Sequence, residues 1–288
     1  MSVNTNILKN NLLNESPLPS AEYNKLPHID DMRDVAAKHP KAHTTLLGII
    51  ATYGLMDMFS IHLVHKHFDM PEEKIMVYET VKSKNHGDFI LSSPRKPEKL
   101  TNPRGLYFKA GPNGTMSAYE FTTDPGMDLS GYEDFVAKFS STVVELGVQD
   151  VFALTAVPIC PKDVVFTEFE LGHVSSTVLV ANPEWLPKTE DVTATTTDWL
   201  ATEEDAHAVA GGIPGTAQLK CTVLRDNKHI NVTCSTTRSC KHLGHTPNPS
   251  ASHSPRDDSA IYINGELIPE GTEGWNIVTS ALQMVDVA

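Results

Sequence analysis

The segment Ile61-His62-Leu63-Val64-His65-Lys66-His67-Phe68-Asp69 alternates apolar and polar side chains. Because a strand points successive side chains to opposite faces, such alternation is typical of a half-buried β-strand. On a regular strand His65 and His67 share one face, whereas His62 points to the other. In a helix His62 and His65 would instead be neighbours, but Pro71 disfavours that conformation just before it. The segment therefore predicts a strand that presents two histidines together.

The rest of the chain alternates strand patterns with a few helical ones. The apolar run Val151–Val157 is typical of a central strand buried on both faces. The clearest helix covers 130–146, with Ser130 and Glu133 as a capping box and Gly147 as its stop. Because helix 130–146 lies between two strands, one parallel β-α-β crossover is expected. The chain is predicted to have an α+β fold, with a mixed, mostly antiparallel sheet and packed helices.

Four hairpins are expected from strands that follow one another closely. They pair 61–69 with 74–81, 105–110 with 116–122, 164–171 with 174–180, and 218–224 with 229–234. Further helices are expected at 30–38, 44–55, 198–210 and from 275 to the C-terminus, with a charged loop at 82–104.

Domain organisation is predicted from composition along the chain. Residues 1–27 are polar and rich in proline, and are predicted to form a disordered leader. Residues 28–288 are predicted to form a single domain, with a mobile loop at about 235–259, where Ser, Thr, Pro and His predominate. The best candidate for a boundary within this domain is 182–197.

Composition limits the classes of partner. The net charge of −13, from 23 basic and 36 acidic residues, disfavours a nucleic-acid surface and an anionic membrane surface. No segment approaches the roughly 18 consecutive apolar residues of a membrane span, and the N-terminus lacks the apolar core of a signal peptide. A cytoplasmic protein with reduced cysteines is expected. A small molecule is the partner that this composition leaves open, and the oligomeric state is not predicted.

The pair His65-x-His67 is the first candidate metal site. Two neutral imidazoles on one strand face can bind one divalent transition metal, such as Fe, Zn, Cu or Mn. Glu72, in the turn that follows, is the expected carboxylate ligand. Other candidate ligands for the same ion are Glu79, His86, Glu168 and His173. In the alternative interpretation the histidines are half-buried strand residues that hydrogen-bond to the backbone.

A second cluster, Cys234-x5-Cys240-x-His242-x2-His245, contains four residue types that bind structural zinc. Its spacing matches no familiar zinc-finger pattern, so a polar loop with ordinary thiols is the favoured interpretation. The chain also lacks a phosphate-binding P-loop, a dinucleotide-binding glycine motif and a G-x-S-x-G nucleophile elbow.

Two resemblances rest on the histidine segment. The spacing His65-x-His67-x4-Glu72 resembles the first motif of the cupins, although the flanking glycines and the second motif are missing. The block Leu63-x-His65-Lys66-His67-Phe68 resembles a group of uncharacterised fungal proteins. Two later blocks, 119–122 and 146–151, are similar to that group too, so the resemblance extends over roughly 30–245. It implies a cytosolic fungal protein, an accessory of a specialised metabolic pathway, and carries no activity or catalytic residue with it.

Two functional hypotheses follow. In the first, the chain is a metal-binding protein that acts as a small-molecule enzyme, with His65, His67 and Glu72 as ligands. In the second, it is a non-catalytic regulatory or interaction protein, accessory or transcription-related, in which the histidines only pack. The sequence does not identify a substrate, a reaction or the metal.

Overall fold

The computed structural model describes residues 13–83, 87–126, 128–156, 164–171, 174–181, 192–207, 216–224, 232–234, 261–263 and 266–287. The strands of the large sheet are β1 (Leu13–Asn14), β2 (Phe59–Leu63), β3 (Ile75–Val81), β4 (Phe89–Arg95), β5 (Arg104–Ala110), β6 (Met116–Thr122), β7 (Phe152–Ala156), β8 (Phe166–Leu171), β9 (Ser176–Ala181), β10 (Val192–Leu200) and β11 (Thr216–Leu224). A small separate sheet contains β12 (Val232–Cys234), β13 (Ile261–Ile263) and β14 (Glu266–Ile268).

The α-helices are α1 (Ser20–Tyr23), α2 (Pro40–Thr52), α3 (Glu133–Glu145) and α4 (Glu273–Val287). Short 3-10 helices lie at Ile29–Asp31, Ala36–Lys38, Pro97–Lys99 and Glu203–His207. Within the described ranges, none of these helices has the length and apolar character that a membrane crossing requires.

The large sheet closes on itself. Its order is β1-β6-β3-β4-β9-β8-β11-β10-β2-β7-β5, and β5 also pairs with β6, so ten strands form a closed ring to which β1 is added. Three of the pairs, β1–β6, β3–β6 and β8–β11, are parallel, and the others are antiparallel. The predicted α+β fold with a mixed, mostly antiparallel sheet is confirmed. Closure gives this sheet an inner and an outer face.

The outer face carries the three long helices, α2, α3 and α4. α2 and α3 bury apolar side chains such as Leu47 and Phe139 against Phe59, Phe152 and other outward residues of the sheet. α4 packs on the opposite region of the sheet, against side chains of β4, β8 and β9. Since apolar burial on this face accounts for the main hydrophobic cluster, the inner face is free to hold polar groups.

The inner face combines aromatic rings with polar side chains. Two bulges in the ladder between β5 and β6 contribute to it. Leu106 is the extra residue of β5, and Tyr119 is the extra residue of β6. A bulge turns two consecutive side chains toward the same side. Tyr107 and Tyr119 therefore belong to one inner cluster, which also contains Tyr23. The neighbouring Glu120 accepts a hydrogen bond from the Tyr23 hydroxyl and so lies at the same cluster.

Several predicted pairings differ from the observed ones. β2 pairs with β7 and β10, not with β3, so the first predicted hairpin is wrong. β12 pairs with β13 rather than with β11. β6 and β7 run in the same direction on either side of α3, but β5 lies between them. Alternation along a strand indicates its two faces and contains no information about its neighbours.

Some element types also differ. The predicted loop 82–104 contains β4, and β10 extends to Leu200 through the start of the predicted helix 198–210. The helix α3 begins at Glu133 with Tyr132 as its N-cap and no side-chain capping bond. Ser130 donates to Asp128 instead, so the capping box is wrong. Gly147 does end the helix, with a φ of 66°.

The segment 13–29 packs on the sheet rather than forming a leader. β1 pairs with β6, and the side chains of Tyr23 and Leu26 are buried. The expectation of a disordered leader therefore does not hold for 13–27, because those two apolar side chains find space inside the ring. Residues 1–12 and the loop 235–259 lie outside the described residues.

Candidate metal centre

The three histidines of the opening segment lie on the inner side of the closed sheet. β2 ends at Leu63, and the chain then leaves the ladder, so period-two alternation no longer applies to His65 and His67. The ring centroids of His62 and His65 are 5.0 Å apart, as are those of His65 and His67. The prediction that His62 points away from the other two is therefore wrong, because the strand is shorter than the alternating pattern.

The segment that carries His65 and His67 is held by residues 20–29, which we call the N-terminal strap. The backbone amide of Lys66 donates to Pro27 O, and the amide of Ile29 donates to Lys66 O. The side chain of Asn24 donates to Met70 O and accepts from the amide of Met70. The strap therefore fixes the backbone on both sides of His67.

Three ligand atoms converge inside the sheet. His65 Nε2 lies 3.2 Å from His67 Nε2, and His67 Nε2 lies 3.2 Å from Glu168 Oε2. One ligand atom from each of the three residues lies within 4.8 Å of the other two. All three side chains are buried, at 4%, 5% and 1% exposure respectively. A group of two histidines and one carboxylate in this arrangement can hold a metal ion.

The other polar atoms of these side chains have partners that orient them. His65 Nδ1 lies 2.7 Å from Leu63 O, and His67 Nδ1 lies 3.0 Å from Glu170 Oε1. Thr177 Oγ1 donates to Glu168 Oε1 at 2.6 Å. Partners of this kind fix the orientation and the tautomer of metal-binding histidines.

One choice of tautomers satisfies both Nδ1 contacts. A neutral His65 that donates from Nδ1 to Leu63 O keeps the lone pair on its Nε2. A neutral His67 that donates from Nδ1 to Glu170 likewise keeps its Nε2 lone pair. Two imidazole lone pairs and the carboxylate of Glu168 then face one another, which brings three acceptors into one small volume. A cation at that point converts their mutual repulsion into attraction.

Burial favours the neutral form of His65. Desolvation lowers the pKa of this ring well below its ordinary value of 6.5, and the neighbouring His67 and His62 lower it further. Glu168 and the Leu63 carbonyl act in the opposite direction without reversing that result. A neutral imidazole is the form that binds metals, so His65 is suited to the role in its metal-free state.

The structure places the other predicted ligands elsewhere. Glu72 is exposed on the turn before β3. The carboxylate that lies beside His65 and His67 belongs to Glu168 instead. Glu79 forms an ion pair with Arg95. His86, His173 and the cluster from Cys240 to His245 lie outside the described residues, as does the side chain of Cys234.

Glu168 was one of several candidate ligands in the sequence, and β8 contains the pattern that distinguishes it. In Phe166-Thr-Glu-Phe-Glu-Leu171 the two carboxylates alternate with Phe169 and Leu171, which belong to an outer core cluster. Because alternate residues share a face, Glu168 and Glu170 are predicted to point together to the inside. That pattern does not identify which strand supplies the histidines.

Comparisons with known proteins give no match for this chain, whether with protein families, with curated proteins or with solved structures.

Proposed function

We propose that this chain is a metal-binding protein whose centre consists of His65, His67 and Glu168, with Glu170 orienting His67. The observation that supports this proposal is the convergence of three buried ligand atoms, from side chains whose other polar atoms already have partners. A cluster of this kind inside a folded core costs free energy unless a cation or a proton is shared among its members.

The spacing fits one first-row ion. For the pairs His65–His67 and His67–Glu168, ligand atoms 3.2 Å apart and about 2.1 Å from a metal would subtend an angle of about 100° at it, between octahedral and tetrahedral values. Three protein ligands leave coordination positions open. Two histidines with one carboxylate are typical of non-haem Fe(II) sites and of catalytic Zn sites. Of the metals expected from the sequence, Fe and Zn are therefore favoured over Cu and Mn.

The proposal extends to a small-molecule enzyme. A bound ion with open positions supplies Lewis acidity and can activate water or an organic ligand. The residues of this chain would exclude bulk water, orient the imidazoles and keep their ligand nitrogens unprotonated. The cytoplasmic location and the place in fungal specialised metabolism remain part of the proposal, and they rest on composition and on the Leu63–Phe68 block.

One metal-free alternative has a specific observation in its favour. His67 lies within 3.2 Å of Glu168 and 3.0 Å of Glu170, so a protonated His67 would donate to both carboxylates. In that case the group is a structural ion-pair network, and the chain is better described as a non-catalytic interaction protein.

Metal analysis separates these two functions. We expect the untagged wild-type protein to bind close to one equivalent of Fe or Zn, and His65→Ala, His67→Ala and Glu168→Gln to bind none. Glu72→Gln is the matched control, because it makes the same chemical change at an exposed carboxylate. If the wild-type protein is free of metal and does not bind added Fe, Zn, Cu or Mn, the ion-pair network is correct instead.

A further inference from the structure

The three ligand side chains of the proposed metal centre are closed off from solvent. His65, His67 and Glu168 are 4%, 5% and 1% exposed. A hydrated ion cannot pass between packed side chains, because protein interiors contain few voids larger than a water molecule. Some covering element must therefore move whenever an ion enters or leaves this centre.

The closed ring is poorly suited to that movement. Each of its ten strands is hydrogen-bonded to a neighbour on both sides. Separating two of them would break a ladder and disturb the apolar side chains that pack on the outer face. Segments held by few bonds open far more often than cooperative units of this kind. The moving element is therefore expected outside the ring.

The N-terminal strap is not part of the ring, yet it is bonded to the histidine segment. The two pair through one isolated bridge, between His28 and Lys66. The Lys66 amide donates to Pro27 O, and the Lys66 carbonyl accepts from Ile29 N. His28 Nε2 also lies 2.8 Å from the carbonyl oxygen of His67. The strap thus covers the backbone of a ligand histidine through only a few bonds.

Two side chains of the strap reach into the sheet. Tyr23, which is 2% exposed, and Leu26 both belong to the inner cluster. The hydroxyl of Tyr23 donates to the buried carboxylate of Glu120 at 2.7 Å, across 97 residues of sequence. Release of the strap would withdraw these two side chains from the interior and open a path beside the histidines.

We propose that the N-terminal strap is the gate of the metal centre. It detaches from the histidine segment, withdraws Tyr23 from the interior, and closes again over the bound ion. The inference rests on the proposed function, because it assigns the strap a role in the exchange of that ion. The Tyr23 bond goes to Glu120 rather than to a ligand. Its loss should therefore speed the entry and the exit of the ion alike and leave the affinity nearly unchanged.

Amide hydrogen exchange of the metal-free protein measures the opening itself. We expect the amides of Ile29 and Lys66 to exchange through local opening, faster than the amides of the β2–β7 ladder. Tyr23→Phe removes one hydrogen bond of the closed strap and should speed exchange at Ile29 and Lys66 by about five- to tenfold. Tyr78→Phe is the matched control, because Tyr78 is also a hydrogen-bond partner of Glu120 but lies on β3 of the ring. Its bond survives release of the strap, so exchange at these two amides should not change.

Stopped-flow measurements with Zn and a chromophoric chelator then follow the entry and the exit of the ion. We expect Tyr23→Phe to speed association and dissociation by the same factor as the amide exchange. Its dissociation constant should stay within about twofold of the wild-type value, and Tyr78→Phe should alter neither rate. Leu26→Ala, which removes the apolar anchor, should act in the same direction as Tyr23→Phe and is the second variant if Tyr23→Phe folds poorly.

Two results would overturn the gate. In the first, Ile29 and Lys66 exchange as slowly as the β2–β7 ladder in the wild-type protein, so the strap does not open by itself. In the second, Tyr23→Phe speeds amide exchange but not Zn binding, so the ion enters elsewhere. A wild-type protein whose strap opens but which binds no metal would instead reject the proposed function, and this inference with it.

Discussion

Burial controls the protonation of histidines in two parts of this molecule. His43, on α2, packs outside the ring between Phe152 and Trp199, at centroid distances of 5.5 and 4.7 Å. Desolvation lowers its pKa from 6.5 to about 4, against the smaller opposite effect of Asp205. Desolvation is also the main cause of the lowered pKa of His65, which lies inside the closed sheet.

The pKa of His43 predicts an acid sensitivity that has nothing to do with the metal centre. Between pH 6.5 and 4 the unfolded chain binds a proton at His43 that the folded protein does not, so stability falls as the pH falls through this window. At pH 4.5 the loss is about 2–3 kcal/mol, and it fades away about one pH unit above 6.5.

We therefore expect urea unfolding of His43→Gln to show a smaller loss of stability between pH 7 and 4.5 than the wild-type protein shows. Lys41→Gln, on the same helix, is a control that leaves this titration unchanged. An equal pH dependence in His43→Gln and wild type would show that the ring is not desolvated.

The tautomer of His65 can be observed directly. We expect nitrogen NMR of the metal-free protein at pH 6 to show a neutral ring protonated at Nδ1, because burial disfavours the charged form and Leu63 O accepts from that nitrogen. Comparison with His65→Ala assigns the signal. A ring protonated on both nitrogens at pH 6 would contradict the geometry and would remove His65 from the set of ready ligands.

At the scale of elements, the N-terminal strap positions a segment far from it in sequence. The two hydrogen bonds between Asn24 and Met70 and the backbone bonds to Lys66 hold the chain on both sides of His67. Groups that orient metal ligands typically change metal affinity by 10–100-fold when removed.

We expect Asn24→Ala to weaken metal binding by about tenfold in a chelator competition titration, with the stoichiometry unchanged. Lys25→Ala is the matched control, since this neighbouring side chain is 69% exposed and its ion-pair partner among the described residues is the exposed Glu22. Equal affinities in both variants would show that the strap covers the site without positioning it.

The helix α3 gives a prediction about packing. Phe139 is fully buried in the outer core, and its truncation leaves a cavity that the surrounding strands cannot fill. We expect Phe139→Ala to lower the free energy of unfolding by about 3–5 kcal/mol, measured by chemical denaturation. Lys138→Ala, one residue earlier on the exposed face, should change it by less than about 0.5 kcal/mol.

The elements differ in how far the sequence determines them. The helix α3 was predictable because Phe135, Phe139 and Val143 repeat at helical spacing, and β7 because its residues form one apolar run. The hairpin of β5 and β6 was predictable from its Gly-Pro-Asn-Gly turn. The partners of β2 were not, because they lie far away in sequence and alternation encodes faces rather than neighbours.

The candidate site was likewise predictable from the sequence only in part. His65 and His67 stood out through their density, but the expected carboxylate was sought nearby, at Glu72. The carboxylates found beside them come from β8, and His67 and Glu170 are 103 residues apart. Only ring closure brings β2 and β8 to the same interior, and no local pattern contains that information.

At the scale of the whole molecule, the proposed ion links binding to stability. An ion that binds the folded protein alone stabilises it by about 2.7 kcal/mol at a free concentration one hundred times its dissociation constant. We expect Zn or Fe(II) to raise the midpoint of thermal unfolding in the wild-type protein and in Glu72→Gln. The midpoint of Glu168→Gln should not move, and a shift of similar size in that variant would indicate binding elsewhere.

Ring closure also has a kinetic consequence. β2 receives its partners from β7 and β10, so the chain must bring together segments separated by long intervening stretches before this region is paired. Sheets with such non-local contacts fold slowly, on the millisecond-to-second scale, because the entropy of loop closure is lost before the contacts form. His65, His67 and Glu168 come within reach of one ion only after these pairings exist. The metal should therefore bind late on the folding pathway, slowing unfolding while leaving the folding rate almost unchanged.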